Sequence, residues 1–190
     1  QIQLFSILCF VVLIGLIIYQ SVEVLLLLGL LALITFFYTI PLMKNKNLRA
    51  LQNIKIFLVA VVWAGVTVLV PLVDLYPAIE FDHWISFFQR FLWIIVLTIP
   101  FEIRDLSYDS KGLRTFPQVL GIKRSKALGI FFLLVILIIE FLKDSISNSY
   151  LLSLLIIILV SGIFLLLTKE RQSRYYTSFW VEGIPIVWLL

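Results

Sequence analysis

The stretch that organises this chain reads PFEIRDLSYDSKGLRTFPQVLGIKRSK and covers residues 100–126. It places three acids and six bases in a sequence that is otherwise almost entirely apolar. Glu102, Asp105 and Asp109 are three and four residues apart, so they share one face if the segment is helical. Carboxylates this close ionise together only when a cation or a basic partner lies among them. The spacing fits Mg²⁺ holding an anionic headgroup, and it equally fits a solvated loop whose charges set membrane topology.

The composition of the chain is typical of a membrane protein. Its 190 residues are 62% hydrophobic and only 14% charged, with a mean hydropathy of +1.12, whereas soluble domains are about half apolar. The apolar runs are continuous rather than alternating, which favours helices over a β-barrel. Cys9 is the only cysteine and lies in an apolar run, which excludes disulfides and cysteine metal sites. The net charge of +4 is too small and too scattered to predict a nucleic-acid partner.

Seven apolar segments approach the roughly 20 residues that span a bilayer. They predict a single all-α domain, a polytopic transmembrane helix bundle, with segments at 2–19, 24–43, 56–73, 84–101, 127–143, 150–168 and 175–190. Thirteen of the fifteen bases lie in alternate loops, at 44–55, 102–126 and 168–174. Because Lys and Arg favour the cytoplasmic side, these loops are predicted to be cytoplasmic. The outer loops are predicted to hold most of the other charges, among them Glu140 and Lys143.

Two further polar features bear on function. Pro41 bends or ends the second segment, and Lys44 follows it at a position where it could meet a phosphate at the membrane surface or simply anchor the loop. Glu182 lies within the last apolar segment, where an ionisable side chain is costly and marks function by default. The chain contains no cluster of His and Cys, no P-loop and no dinucleotide fingerprint, so these chemistries have no support.

The aspartate-rich stretch resembles a motif of the UbiA-type intramembrane prenyltransferase superfamily. Asp105-Leu-Ser-Tyr-Asp109 is followed by Gly112, Thr115, Pro117 and Gly121, and the family carries a second Asp-x-x-x-Asp motif followed by a Gly…Thr-x-Pro…Gly stretch in a cytoplasmic loop. A second element, Tyr38-Thr-Ile-Pro41-Leu-Met-Lys44, is similar to a Tyr-, Pro- and Lys-containing element that the family has two helices earlier. The resemblance spans essentially the whole chain.

This resemblance implies a nine-helix bundle of which the chain supplies helices three to nine. The family's first motif, Asn-Asp-x-x-Asp, has no counterpart in residues 1–37, where Glu23 is the only acid. We therefore expect the chain to be a fragment whose preceding sequence would carry that motif. Residues 1–190 alone are then expected to be inactive, since the family shares its Mg²⁺ ions between both motifs.

The activity implied is Mg²⁺-dependent transfer of a prenyl group from a polyprenyl diphosphate to a small acceptor, an aromatic or other precursor of a lipid quinone. Asp105 and Asp109 would be the Mg²⁺ ligands, with Glu102 orienting them or serving as a third ligand. The expected substrate-binding residues are Tyr38, Lys44, Lys111, Arg114 and Lys123. The implied location is a bacterial inner membrane, with the motif loops cytoplasmic and lipid around the helices.

Two other classes of protein remain open. A non-catalytic relative that binds an isoprenoid lipid would be consistent with the missing first motif. A secondary transporter would use intramembrane acids such as Glu182 to carry coupling ions, although the chain shows no evident repeat.

Overall fold

The computed structural model describes residues 2–39, 52–76, 78–108, 115–173 and 175–187. In these ranges every regular element is a helix, and eight helices follow one another. They are α1 (Ile2–Ile17), α2 (Val22–Thr39), α3 (Gln52–Ala64, continued by Gly65–Leu69 and Val70–Leu75), α4 (Phe81–Asp105), α5 (Phe116–Leu120), α6 (Ile122–Glu140), α7 (Asn148–Leu167) and α8 (Tyr176–Val181, continued by Glu182–Val187). The Gly65–Leu69 and Tyr176–Val181 segments are π-helical turns.

The all-helical prediction is confirmed for the described residues, but the predicted number of seven helices is wrong. The additional helix is α5, which lies inside the predicted 102–126 loop. Pro117 stands in its first turn, where proline is tolerated because the first amides of a helix have no partner within it. Gly121 ends it at φ +80°, a backbone conformation that favours glycine, and α6 begins at the next residue. A five-residue helix gives too short an apolar pattern to be recognised in the sequence.

Three of the described helical stretches are long and apolar enough to cross a membrane. They are Lys55–Leu75, Phe81–Asp105 and Asn148–Leu167. The apolar stretches Gln3–Ile17 and Val22–Phe37 are shorter. Helix α6 does not qualify because Lys123, Arg124, Lys126 and Glu140 all fall within its 19 residues. Length and composition therefore indicate a membrane protein.

The buried core is built around α4. Trp93, Val96 and Ile99 of this helix are at most 2% exposed, and they pack against side chains of α6, α7 and α8. Their core partners include Leu133, Ile136, Leu154, Ile157, Val181 and Ile184. By contrast, the described large apolar side chains of α1 are exposed from Leu4 onward. Such a helix is costly in water and stable in lipid.

Close packing and polar contacts fix the directions of α4, α6 and α7. A Cβ at Gly129 of α6 would lie 2.5 Å from Leu165 Cδ2 and 3.1 Å from Ile99 Cδ1, so α6 passes very near both neighbours. At one end of this bundle, the Asp82 carboxylate of α4 accepts from the backbone amides of Asp144 and Ser145, just after α6. Both neighbours of α6 therefore run antiparallel to it.

The helix directions give the bundle two distinct ends. The motif end holds the end of α4, helix α5, the start of α6 and the connection from α7 to α8. The opposite end holds the start of α4, the end of α6 and the start of α7. The described parts of the predicted basic loops, 102–108 with 115–126 and 168–173, thus lie at the same end of the bundle.

The placement of Glu140 in an outer loop is wrong. Glu140 is the last residue of α6 and is 1% exposed. Lys143 does lie beyond the helix, but its side chain is only 7% exposed because it turns back to Glu140. The charge pattern assigned both residues to a loop, whereas the pairing of the two charges allows both to be buried.

Candidate active site

A polar cleft opens at the motif end between the end of α4 and the connection from α7 to α8. Its volume is about 950 Å³, and its lining includes Arg104, Asp105, Tyr108, Glu170, Arg171 and Ser178. The lining carries charges of both signs and several hydroxyl groups. An open cleft with this lining is suited to a charged, water-soluble group rather than to an apolar ligand.

Asp105 and Arg104 form an ion pair inside this cleft. Arg104 Nε donates to Asp105 Oδ1 at 2.7 Å, and Arg104 Nη2 donates to Asp105 Oδ2 at 3.0 Å. The guanidinium thus engages both carboxylate oxygens in the two-pronged geometry that favours Arg–carboxylate pairs. The two side chains keep 25% and 38% of their surface exposed, so the pair remains accessible from the cleft.

Two hydroxyl groups of helix α8 contact the remaining nitrogen of the Arg104 guanidinium, Nη1. Arg104 Nη1 donates to Thr177 Oγ1 at 2.7 Å and lies 3.3 Å from Ser178 Oγ. Arg104 Cζ also lies 5.4 Å from the centre of the Phe101 ring. The π-helical turn at Tyr176–Val181 places these two consecutive hydroxyl groups against the end of α4.

Glu182 acts on Arg104 electrostatically. Its carboxylate is an opposite charge within Coulombic range of the Arg104 guanidinium. The residue is exposed at the junction between the two parts of α8. Glu182 is thus a charged neighbour of Arg104 on an exposed position of α8, although it is not among the described lining residues of the cleft.

Contacts of Lys126 and Tyr176 hold the end of α7, from which the connection carrying Glu170 and Arg171 begins. Lys126 Nζ donates to the carbonyl oxygens of Leu166 at 2.7 Å and of Thr168 at 2.6 Å. These oxygens end the helix and would otherwise lack a partner within it. Burial, followed by the charge of Lys169, lowers the pKa of Lys126. The Tyr176 hydroxyl donates to the carbonyl oxygen of Phe164 and ties α8 to the same helix end.

The predicted site residues are only partly covered by the described ranges. Asp105 lines the cleft. Glu102 is half-buried and lies three residues before Asp105. Lys123 is exposed in the first turn of α6 and is not among the described lining residues. Tyr38 lies in the last turn of α2, where the structure describes the backbone alone. The remaining predicted residues, Asp109, Lys44, Lys111 and Arg114, lie outside the described residues.

The sequence did not predict the residues that hold Arg104. Thr177 lies 73 positions from Arg104 in the chain, and no motif marks it or Ser178. Arg104 itself had a detectable signal, because it precedes Asp105 directly within the aspartate-rich stretch.

The donor chemistry of the cleft fits a hard divalent cation. The described lining offers the carboxylates of Asp105 and Glu170 and hydroxyl oxygens such as that of Ser178, which are ligand types that Mg²⁺ prefers. The Arg104 guanidinium already donates to both oxygens of Asp105, so this carboxylate is accessible to a cationic partner. Within the described ranges no three acidic, His or Cys side chains come together.

No protein-family model, curated protein or solved structure matches this chain. The fold itself defines a class: in its described ranges, an all-helical protein with three helices of membrane-spanning length and a polar cleft at one end of the bundle.

Proposed function

We propose that this protein is a Mg²⁺-dependent intramembrane prenyltransferase of the UbiA type. It transfers a prenyl group from a polyprenyl diphosphate to a small acceptor, an aromatic or other lipid-quinone precursor. The observation that carries the proposal is the position of Asp105. This first aspartate of the Asp-x-x-x-Asp motif ends a membrane-length helix and lines an open, polar cleft beside Arg104 and Arg171.

The helices are placed in a bacterial inner membrane with the motif end in the cytoplasm. Three membrane-length helices and the exposed apolar surface of α1 support a multi-pass arrangement. Thirteen of the chain's fifteen Lys and Arg residues lie in loops 44–55, 102–126 and 168–174. This distribution supports a cytoplasmic motif end. A diphosphate headgroup would then enter from the cytoplasm while its isoprenoid tail stays in lipid.

In this proposal the residues named from the motifs divide the work of binding and ionising the diphosphate. Asp105 and Asp109 would hold Mg²⁺, with Glu102 orienting them, and the ion would supply positive charge against the charge that develops on the leaving diphosphate. The bases Lys44, Lys111, Arg114 and Lys123, together with Tyr38, would bind the substrate. The allylic C–O bond breaks and its electron pair leaves with the diphosphate. An acceptor carbon attacks the allylic cation and then loses its proton to water.

A run of aromatic rings offers a surface for the isoprenoid tail. Phe116 of α5 packs edge-on against Phe57 of α3, with ring centres 6.2 Å apart. Phe57 stacks on Phe91 at 6.4 Å, and Phe91 stacks on Phe88 at 6.0 Å. The run leads from the motif end along the contact between α3 and α4. Its ring faces can stabilise positive charge as well as contact an apolar chain.

A secondary transporter is the second candidate, and one observation favours it. Glu140 is 1% exposed and pairs with Lys143 at 2.8 Å between helices of the bundle. Buried ionisable pairs in membrane helices often mark ion pathways. The pair lies at the opposite end from the cleft, so the two candidates place the essential residues at different ends of the molecule.

The test is prenyl transfer by the full-length protein purified in detergent. Radiolabelled polyprenyl diphosphates of several lengths are offered with aromatic acceptors, with and without Mg²⁺. Asp105→Asn is expected to abolish transfer and to leave the thermal unfolding midpoint unchanged. Asp144→Asn, an exposed aspartate at the opposite end, is the matched control and should retain full transfer.

Near-normal turnover by Asp105→Asn would contradict the proposed role of this residue. Absence of transfer from every donor, together with ion-coupled uptake that Glu140→Gln abolishes, would establish the transporter instead.

A further inference from the structure

Arg104 covers the two oxygens that the proposed function assigns to a metal. We propose that Arg104 is a positioning residue: it neutralises Asp105 in the unliganded cleft and moves onto the diphosphate when metal and substrate arrive together. The metal and the diphosphate would then bind cooperatively, each weakly without the other. This inference rests on the proposed function and adds an order of events to it.

The contacts on Asp105 make the guanidinium and a metal ion competitors. Nε and Nη2 of Arg104 occupy Oδ1 and Oδ2 at 2.7 and 3.0 Å, so both carboxylate oxygens are engaged. Mg²⁺ needs its oxygen ligands at about 2.0–2.1 Å in near-octahedral geometry. A divalent ion bound there would also repel the adjacent positive charge. Each carboxylate oxygen keeps a second acceptor site, so the metal can approach Asp105 while Arg104 is still bound. The repulsion between the two cations then weakens the contact of Arg104 and favours its release.

The contacts with α8 keep Arg104 in the cleft when it leaves Asp105. Nη1 is held by Thr177 Oγ1 at 2.7 Å and faces Ser178 Oγ at 3.3 Å. The hydroxyl groups engage a different corner of the guanidinium from the one that Asp105 engages. Loss of the carboxylate contact therefore frees the Nε–Nη2 edge without releasing the side chain to solvent.

The freed edge has the geometry for a phosphate. Two parallel N–H donors on one planar edge match two oxygens of a phosphate as well as they match a carboxylate. A diphosphate in the cleft thus offers Arg104 a replacement partner at the moment when a metal takes Asp105. By thermodynamic linkage, each ligand then raises the affinity of the other by the same factor.

The test measures binding rather than turnover, with Mn²⁺ as a spectroscopic probe for the metal and inorganic pyrophosphate for the headgroup. Wild-type protein in detergent is titrated with Mn²⁺ alone, with pyrophosphate alone and with both, corrected for the complex that the two form in solution. We expect pyrophosphate to tighten Mn²⁺ binding at least about tenfold. Mn²⁺ alone should bind Arg104→Gln up to about fivefold more tightly than the wild type, because the partly exposed ion pair no longer competes with the metal. In the same variant, pyrophosphate should tighten Mn²⁺ binding by less than about threefold.

Two further variants separate this exchange from general electrostatics and from misfolding. Arg171→Gln removes the same charge from the same cleft, and its affinity for Mn²⁺ alone should stay within about twofold of the wild type. Arg104→Lys keeps the charge but loses the two-pronged contact, so Mn²⁺ alone should bind it more tightly than the wild type and less tightly than Arg104→Gln. If Arg104→Gln does not fold, the comparison of Arg104→Lys with the wild type still tests the exchange.

The outcomes distinguish this inference from the proposed function. If the wild type binds Mn²⁺ with pyrophosphate, but neither Arg104→Gln nor Arg104→Lys tightens binding of Mn²⁺ alone, the exchange by Arg104 is wrong and the diphosphate site stands. If the wild type binds neither probe, even when both are present, the proposed function and this inference both fail.

Discussion

The two ends of α4 carry the same chemistry in opposite surroundings. At the motif end, Arg104 pairs with Asp105 at 2.7 Å in an open cleft. At the opposite end, Lys143 pairs with Glu140 at 2.8 Å, and the two side chains are only 7% and 1% exposed. An exposed pair contributes little to stability and can exchange its partners. A buried pair cannot lose one member without leaving an uncompensated charge. If the protein is the proposed prenyltransferase, burial therefore assigns the opposite end to structure and leaves the motif end available for ligands.

The contacts around each pair support this division. Gln89 Nε2 donates to Glu140 Oε2 at 2.8 Å and to the carbonyl oxygen of Ile136 at 3.1 Å, which links α4 to α6. Lys143 Nζ lies 4.3 Å from the centre of the Tyr150 ring of α7. We call Gln89, Glu140 and Lys143 the opposite-end cluster. It ties three helices together, whereas the partners of Arg104 leave its ion pair accessible from the cleft.

The largest expected effect comes from breaking the buried pair. Glu140→Ala leaves the Lys143 ammonium in a nearly closed environment without its carboxylate, and it should lower the free energy of unfolding by about 3–5 kcal/mol. Reversible unfolding in mixed detergent micelles, followed by tryptophan fluorescence, measures the loss. Glu170→Ala removes an acid from the open cleft and serves as the control, with an expected change within about 0.5 kcal/mol.

The double variant Glu140→Leu with Lys143→Met sharpens this test. Because it removes both charges and keeps apolar volume, it should recover most of the stability that Glu140→Ala loses. A loss as large as that of the single variant would show that packing, not the uncompensated charge, sets the cost.

A smaller effect is expected at Gln89, which links α4 to the buried pair. Gln89→Leu preserves most of the volume but removes both hydrogen bonds of the amide nitrogen, one of them to a charged oxygen. The expected loss in the free energy of unfolding is about 1–3 kcal/mol, since buried acceptors lose their donor. Gln118→Leu, a half-buried glutamine of α5 at the motif end, is the comparison and should cost less. Equal losses at both positions would remove the distinction between the two ends.

The sequence predicted the helices better than it predicted the partners of their side chains. Continuous apolar runs located the long helices because each is an independent local pattern. The start of α4 was predicted three residues late, because Glu80 and His83 form a reciprocal cap in which His83 Nδ1 accepts from the Glu80 amide at 3.0 Å.

The motif drew attention to Asp105, which lines the cleft, but no sequence pattern indicated the other surroundings of the cleft. The bond from Arg104 to Thr177 joins residues 73 positions apart, and neither residue belongs to a shared pattern. Glu140 was assigned to a loop by its charge, although its partner stands only three positions later. Charged residues near helix ends are compatible with either exposure or buried pairing, and only the packing of neighbouring helices decides between them.

Among the residues of the two ion pairs, the smallest expected effect on stability is at Asp105 itself. Asp105→Asn removes the charge of an acid whose side chain is 38% exposed, so the free energy of unfolding should change by less than about 1 kcal/mol. Arg104 keeps its contacts with Thr177 and Ser178, which limits rearrangement of α8. The measurement is the same micelle unfolding experiment, repeated at low and high salt, because screening should reduce the difference further. A loss of 3 kcal/mol or more, comparable with that of Glu140→Ala, would mean that Asp105 supports the fold as Glu140 does. The contrast between the two ends of α4, from which the cleft is interpreted as a ligand site, would then be lost.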